Sequence, residues 1–267
     1  MPRAIWKGSI SFGLVNIPVK IYSATQPRQI ELHTVCSKCG TPLEYKRWCP
    51  KCQREVPWNE VDKGYKITKD KWVILKKSDL QKIKLPTTKT IEIKGFVDVN
   101  QIDPIFYEKA YYVVPDEAGV KAYSLFMEAL RLANKAAIGK VVIRNKEYVV
   151  ALRHFKKGIV MHVLFYAGEV RKIEDLPELK NLVVVSKEEL ELARLLIQKM
   201  TEKEFDPSKF KDKYTEALMQ LIKAKAEGKA IEIKEEKKEE AKSLLEALKA
   251  SVEEVKKKKK KIEVEAS

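Results

Sequence analysis

Histidine is scarce in this chain of 267 residues, and the motifs of nucleotide-binding enzymes are missing. The sequence contains neither the G-x-x-x-x-G-K-[S/T] stretch of nucleotide hydrolases nor a G-x-G-x-x-G stretch after a predicted strand. Only three histidines are present, and we interpret His162 as a packed or surface residue and His154 as a surface residue; the third, His33, lies near the cysteines. Residues 115–116 and 178–180 spell the letters of a nuclease signature, but the second element lies in a predicted loop beyond three strands, where nothing would place it against Asp116. The sequence therefore predicts a protein that is not an enzyme.

Long apolar runs are also lacking. No run approaches the roughly 20 residues that a membrane-spanning helix requires, and Met1 leads directly into strand-like sequence without a signal peptide. We therefore expect a soluble, cytoplasmic protein with no membrane partner.

Cysteine is rare, and all four cysteines lie in one short stretch, as C-x2-C, nine residues, and C-x2-C again. Two such turns can present four thiolates tetrahedrally, about 2.3 Å from a Zn²⁺ ion. The alternative is two disulfides, but intracellular thiols stay reduced. His33 could replace one thiolate, although four cysteines already complete a closed site. We therefore predict a structural zinc site formed by Cys36, Cys39, Cys49 and Cys52.

Acidic residues are too few to balance the basic ones, so the formal net charge is +15. Residues 229–267 hold 12 Lys and 10 Glu, which leaves 41 basic and 28 acidic side chains in residues 1–228. A solvated surface needs no such excess, and a polyanion is the natural partner. The alternative is that the charge serves solubility alone.

Alternating apolar positions predict several strands. The stretch "AIWKGSISFGLVNIPVKIYSA" predicts two strands joined at Gly13, and a further hairpin is expected to turn near residues 69–70. "KTIEIKGFVDV" and "KAYYVVPD" alternate as well, and three antiparallel strands are expected with turns near Asn145 and Gly158. This pattern is typical of a largely antiparallel, strand-rich domain.

Capping signals predict the helices. A short helix capped by Ser78 or Asp79 is expected, and a longer one capped by Asp116. Ser186 starts a capping box, S-x-x-E, and residues 206–207 predict the start of the following helix, with proline at its first position. Helices thus dominate the last part of the folded chain.

These elements predict an α+β fold with an antiparallel β-barrel core, a small zinc-binding insert, a helical arm and a flexible charged tail. We assign the core to residues 1–185, with the insert at about 31–57. The arm is residues 186–228, and the Lys/Glu-rich tail, residues 229–267, contains one short amphipathic helix.

Six stretches stand out in order along the chain: "RAIWKGSISFGLVNIPVKIYSAT", "VDKGYKI", "LPTTKTIEIKGFVDVNQIDPIFYEKAYYVVPD", "KAYSLFMEALR", "KAAIGKVVIRNKEYVVALR" and "FDPSKFKDKYTEALMQLIKAK". Together they resemble the prokaryotic Ku family, the DNA-end-binding proteins of non-homologous end joining. The resemblance covers nearly all of residues 2–228. The four cysteines depart from many bacterial members, in which the equivalent insert carries no metal ligands.

The resemblance implies a function and a set of partners. Members of the family bind ends of double-stranded DNA irrespective of sequence, as a homodimer whose barrels and arms close into a ring. They protect the ends and recruit an ATP-dependent DNA ligase without enzymatic activity of their own.

The basic residues around the cysteines are the candidate phosphate contacts, because a zinc-supported loop would hold them rigidly. The alternative is that the insert only braces the barrel or the dimer. The predicted DNA-binding residues are Lys7, Arg28, Lys38, Lys46, Arg47, Lys51 and Arg54.

A zinc-ribbon factor of transcription or RNA processing is the best alternative from another class. Single-strand binders present aromatic side chains on a strand-rich platform with basic residues between them. Tyr111, Tyr112 and Tyr148 lie on predicted strands and could form such a platform.

Overall fold

A computed structural model describes residues 3–26, 30–69, 71–83, 89–143 and 146–228. The chain divides into two compact units, Met1–Lys172 and Ile173–Ser267. The predicted tail, residues 229–267, lies outside the described residues. Within the described ranges, no helix is both long and apolar enough to cross a membrane.

The described residues of the first unit form eleven strands and two α-helices. The strands are β1 (Trp6–Phe12), β2 (Val15–Ser23), β3 (Trp48–Cys49), β4 (Arg54–Glu55), β5 (Lys63–Lys66), β6 (Trp72–Leu75), β7 (Thr90–Asp98), β8 (Tyr107–Pro115), β9 (Lys135–Ile143), β10 (Lys146–Phe155) and β11 (Gly158–Leu164). The helices are α1 (Lys77–Lys82) and α2 (Val120–Ala133).

Seven of these strands form a closed barrel in the order β1-β2-β8-β11-β10-β9-β7. Neighbours pair antiparallel except β1 and β7, whose parallel pairing closes the barrel. The turn between β1 and β2 uses Gly13 at φ +57°, a conformation that glycine adopts without steric cost. The predicted α+β fold with an antiparallel barrel core is therefore confirmed.

Alternate residues of the barrel strands point inward and form the core. On β2, for example, Ile17, Val19 and Ile21 are buried, whereas the residues between them are not. Helix α2 contributes to the same core, and Asp116 starts a 3-10 turn that leads into it. The buried cluster comprises Ile10, Ile17, Val19, Ile21, Ile91, Val113, Tyr123, Phe126, Leu130, Ala137, Val141, Val150, Leu152, Ile159, Met161 and Val163.

Residues 24–89 connect β2 to β7 and contain the cysteines; we call this segment the insert. It forms two small hairpins, β3–β4 and β5–β6, followed by α1. None of its described residues is buried. The predicted cap of α1 at Ser78 or Asp79 is wrong, because Lys76 is the N-cap and its backbone N–H donates to the Asp79 carboxylate.

The described part of the second unit contains two α-helices, α3 (Lys187–Met200) and α4 (Lys213–Ala226). The capping box that starts at Ser186 is confirmed at the start of α3. The predicted helix start at residues 206–207 is wrong: Asp206 caps only a 3-10 turn, and Asp212 caps α4. Ala224 is the one buried apolar residue among the described part of this unit. The sequence-based domain limits stay predictions.

Candidate nucleic-acid interface

The first cysteine pair lies in a tight, hydrogen-bonded turn. The backbone N–H of Cys36 donates to the Thr41 carbonyl at 2.9 Å, and that of Gly40 donates to the Cys36 carbonyl at 2.7 Å. Gly40 adopts φ +72°, the left-handed region that favours glycine. The turn therefore places Cys36 and Cys39 on the same side of the chain.

The second pair repeats this geometry thirteen residues later. Cys49 pairs with Arg54 across β3–β4, and the Cys52 N–H donates to Cys49 Sγ at 3.4 Å. Gln53, which follows the pair as Gly40 follows the first, also adopts a positive φ, +50°. The sequence folds both C-x2-C stretches into the same kind of turn.

Hydrogen bonds within each turn act on the thiols. Cys39 Sγ lies 3.4 Å from the Thr41 hydroxyl, and this contact lowers the pKa of the Cys39 thiol. The backbone hydrogen bond from Cys52 lowers the pKa of Cys49, whereas hydrogen bonding to Cys49 raises the pKa of Cys52. A lowered pKa favours the thiolate, which is the form that binds metal.

All four cysteines are free thiols. The structure brings the members of each pair together, but it contains no metal-binding group of three or more ligating side chains among the described residues. The chemistry of the donors and the matching turns fit zinc, and the ion stays a prediction at this point.

Three of the predicted DNA-binding residues hold the second cysteine hairpin together. Lys46 forms an ion pair with Glu55 at 3.6 Å, and Arg54 forms one with Glu60. Arg47 donates to the Val56 carbonyl at 3.1 Å, and its guanidinium lies 4.1 Å from the ring centroid of Trp58. These side chains brace the insert, whatever else they contact.

The other predicted contacts differ in their surroundings. Lys7 on β1, Lys38 and Lys51 are exposed and form no ion pair with any described residue. Lys7 pairs in register with Lys20, whose ammonium lies 2.7 Å from Asp116. Arg28 falls outside the described residues. The DNA contacts therefore stay predictions.

Sequence reasoning missed five lysines of the insert. They and Lys69 are exposed, lie in the β5–β6 hairpin and around α1, and form no ion pair within the described ranges; the five nearest the strands and the helix are Lys63, Lys66, Lys71, Lys76 and Lys77. The insert holds 15 basic and 7 acidic side chains, the rest of residues 1–172 holds 16 and 9, and residues 173–228 hold 10 and 12. Counting charge between the end of β2 and the start of β7 would have found this concentration.

Groups that could have carried catalysis have structural partners instead. Asp116 binds Lys20 and caps the turn before α2, and the hydrogen bond from Lys20 lowers the pKa of its carboxyl group. His162 packs against Tyr107, with ring centroids 4.7 Å apart, and burial lowers the pKa of its imidazole.

The three strand tyrosines do not share a face. Tyr111 and Tyr148 pack against the barrel core, whereas Tyr112 points to the opposite side of β8 and stacks on Phe155. An exposed aromatic platform for single strands is therefore not formed by these residues.

Comparison with known proteins identifies the family. The family model described as Ku70/Ku80 beta-barrel domain matches residues 11–192. Three relatives carry the name non-homologous end joining protein Ku. The protein from Archaeoglobus fulgidus is 48% identical over 254 residues, covering 95% of this chain and 100% of the relative. The protein from Heliobacterium modesticaldum is 40% identical over 261 residues, covering 97% of this chain and 94% of the relative. The protein from Bacillus subtilis is 38% identical over 254 residues, covering 94% of this chain and 81% of the relative. The matched barrel and these identities show that the chain belongs to the prokaryotic Ku family.

Proposed function

We propose that this protein binds the ends of double-stranded DNA in non-homologous end joining, irrespective of base sequence. The observation that carries the proposal is the concentration of 15 basic against 7 acidic side chains in the insert. Lysines contact phosphates without reading base edges, so such a surface binds any duplex. The names of the relatives support the same role.

The DNA-binding form is a ring-shaped homodimer. Residues 173–228 expose much apolar surface for a segment with one buried apolar residue among those described. Val183 is 85% exposed, Val184 99% and Phe205 81%, and such a segment gains stability when a second chain covers it. Two chains related by a two-fold axis then contribute the same basic surfaces to both sides of a duplex.

A structural Zn²⁺ is held by Cys36, Cys39, Cys49 and Cys52. Four thiolates complete its coordination and leave no open position, so the ion supplies folding free energy and no catalysis. The insert needs this contribution because none of its described residues is buried. Zinc contributes on the order of 10 kcal/mol to the folding of comparable peptides.

The protein acts as a scaffold and not as an enzyme. It protects the ends that it binds and recruits an ATP-dependent DNA ligase, which joins them. This role suits a cytoplasmic protein associated with the nucleoid.

Topology provides the test of the ring. Binding to one plasmid should be compared in its relaxed closed form and after linearisation, at equal base-pair concentration and moderate salt. We expect preference for the linear form, and protein loaded before the ends are sealed should remain on the circle through a salt wash. Equal affinity for the two forms would contradict the ring.

A variant of the insert tests the surface. In the double variant Lys76→Ala, Lys77→Ala, affinity for duplex should fall. The slope of log K against log salt should become shallower by about 0.9 for each phosphate that is no longer neutralised. An unchanged slope would exclude these two lysines from the DNA interface. The ring would still be tested separately, by the comparison of closed and linear plasmid.

A further inference from the structure

A groove of about 480 Å³ lies beside the turn that joins β10 and β11. Three elements line it: the end of β8 (residues 112–115), the first half of α2, and residues 155–159 of the turn. It is separate in sequence from the cysteines and from the basic hairpin of the insert. The function proposed above makes no use of it.

A buried hydroxyl fixes the floor of the groove. Tyr123 donates to the Val113 carbonyl at 2.7 Å and accepts from the Ile159 N–H at 2.8 Å. These two bonds tie α2 to β8 and β11, and the side chain is only 5% exposed. The floor is therefore rigid and largely apolar, with Met127 beside it.

Two aromatic rings form one wall of the groove, and cationic side chains lie next to these rings. The rings of Tyr112 and Phe155 stack with centroids 6.4 Å apart and an interplanar angle of 17°. The Arg153 guanidinium and the Lys156 ammonium lie 5.6 and 5.5 Å from the Phe155 centroid. Such contacts favour a cation beside the ring without neutralising its charge.

The rim carries positive charge that no described acidic residue neutralises by an ion pair. Lys156 and Lys157 are exposed, and neither they nor Arg153 form an ion pair within the described ranges. Lysines elsewhere on the barrel do so: Lys109 binds Glu108, and Lys140 binds Glu147 at 2.8 Å. The groove therefore combines an apolar floor with an unpaired basic rim.

We propose that this groove binds an acidic peptide segment of a partner protein, with one large apolar side chain seated on the floor. Carboxylates of the segment complement Lys156 and Lys157, which line the groove, and apolar pockets with few polar groups at the edge suit peptide anchors. DNA fits less well, because a phosphate chain leaves the apolar floor empty. The faces of Phe155 already contact Tyr112 and the cations, so bases would gain little by stacking. This binding requires no DNA and stands without the function proposed above.

The test uses the full chain and a fluorescein-labelled peptide of sequence Gly-Ser-Asp-Glu-Phe-Asp-Glu-Leu-Ser-Gly, without DNA. Fluorescence anisotropy should give saturable binding, and the same peptide with Asn and Gln in place of Asp and Glu should bind much more weakly. The double variant Lys156→Ala, Lys157→Ala should weaken binding about tenfold. The matched variant Lys76→Ala, Lys77→Ala removes the same charge from the insert and should leave peptide affinity unchanged.

A second pair of variants introduces either a negative or a positive charge at one exposed position of the groove. Ser124 lines it, and its hydroxyl bonds only locally, to the Val120 carbonyl at 2.9 Å. Ser124→Glu should weaken peptide binding, whereas Ser124→Lys should preserve or strengthen it. Equal affinity across all variants, or for the neutral peptide, would overturn the proposal.

A 20-base-pair duplex distinguishes a nucleic-acid surface from a peptide surface. We expect duplex affinity to be the same for the wild type and for Lys156→Ala, Lys157→Ala. If that variant loses duplex affinity by the same factor as peptide affinity, and duplex displaces the peptide, the groove is a DNA contact and the proposal is wrong.

Discussion

The barrel and the insert belong to one compact unit, yet they are stabilised by different means. Every buried apolar side chain described in residues 1–172 lies on a barrel strand or on α2. The insert has none, and it exposes large aromatic side chains: Tyr45 (82%), Trp48 (62%), Trp58 (71%), Tyr65 (67%) and Trp72 (58%). A barrel of this size can depend on burial of its core, whereas the insert depends on local bonds and on the proposed metal.

The barrel and the insert also differ in the density of their net charge and in the pairing of their lysines. Several barrel lysines lie beside carboxylates, as in the pairs of Lys20 with Asp116 and Lys135 with Asp98, both at 2.7 Å. The insert has a net charge of +8 over 66 residues, against +7 over the other 106 residues of 1–172, and Lys63, Lys66 and Lys71 form no ion pair within the described ranges. Cations without a carboxylate partner interact most strongly with a polyanion. The insert therefore combines the denser positive charge with the absence of buried residues in its described part.

The largest effect is expected from removal of the proposed zinc site. In the variant Cys49→Ser, Cys52→Ser, zinc should fall from about one ion per chain to none. The insert should lose on the order of 10 kcal/mol of folding free energy, because no core replaces the metal. Elemental analysis would measure the ion. Hydrogen exchange should show reduced protection in residues 30–69 but not at Ile10 or Leu152 of the barrel.

His33→Ala provides the matched control, since His33 is the neighbouring residue that could ligate in place of a thiolate. This variant should retain zinc and protection of the insert. Unchanged metal content in the double cysteine variant would refute the site, and reduced protection of the barrel would show that the two regions fold as one.

A cavity in the barrel should produce the reverse pattern. Leu152 on β10 is fully buried, so Leu152→Ala should lower the free energy of unfolding by about 2–5 kcal/mol. Urea denaturation measures the decrease, and zinc content should not change. Leu125→Ala, at a position of α2 that is 74% exposed, should stay within about 0.5 kcal/mol of wild type. Release of zinc by Leu152→Ala alone would contradict independent stabilisation of the insert.

Local signals predicted most elements of the fold, but closure of the barrel is not a local property. Alternation identified β1 and β2, and the capping box at Ser186 located the start of α3. The start of α4 was misplaced because an Asp-Pro pair suits a single 3-10 turn as well as a helix, and Asp212 accepts from the Thr215 N–H instead. The parallel pairing of β1 with β7 joins residues about 80 apart, which no periodicity within either strand encodes.

Sequence analysis predicted the candidate site only in the neighbourhood of the two C-x2-C stretches. Cysteine spacing correctly indicated two similar turns, because C-x2-C constrains the chain locally. The lysines of β5–β6 carry no motif, and their significance appears only when residues 24–89 are recognised as one insert between β2 and β7. The groove beside Phe155 depends on contacts among β8, α2 and β10, so no local pattern indicated it.

The smallest predicted effect concerns His162, a polar side chain on β11 of the barrel. His162 Nε2 is buried and has no hydrogen-bond partner among the described residues, which costs stability in the folded state. Burial, and secondarily the charge of Arg153, lower the pKa of this imidazole below its ordinary value of 6.5. The unfolded chain therefore takes up a proton more readily than the folded chain, and stability should decrease as the pH falls below about 6.5.

Two substitutions separate these contributions. His162→Leu removes both the unpaired nitrogen and the titration, so it should raise the free energy of unfolding at pH 7 by about 1 kcal/mol. Its advantage over wild type should grow between pH 7 and pH 5. His162→Gln keeps a polar group but cannot titrate, and it should lose the pH dependence without the gain at pH 7. Urea midpoints at both pH values measure each quantity. If wild type and both variants lose the same free energy of unfolding between pH 7 and pH 5, protonation of His162 does not limit the stability of the barrel.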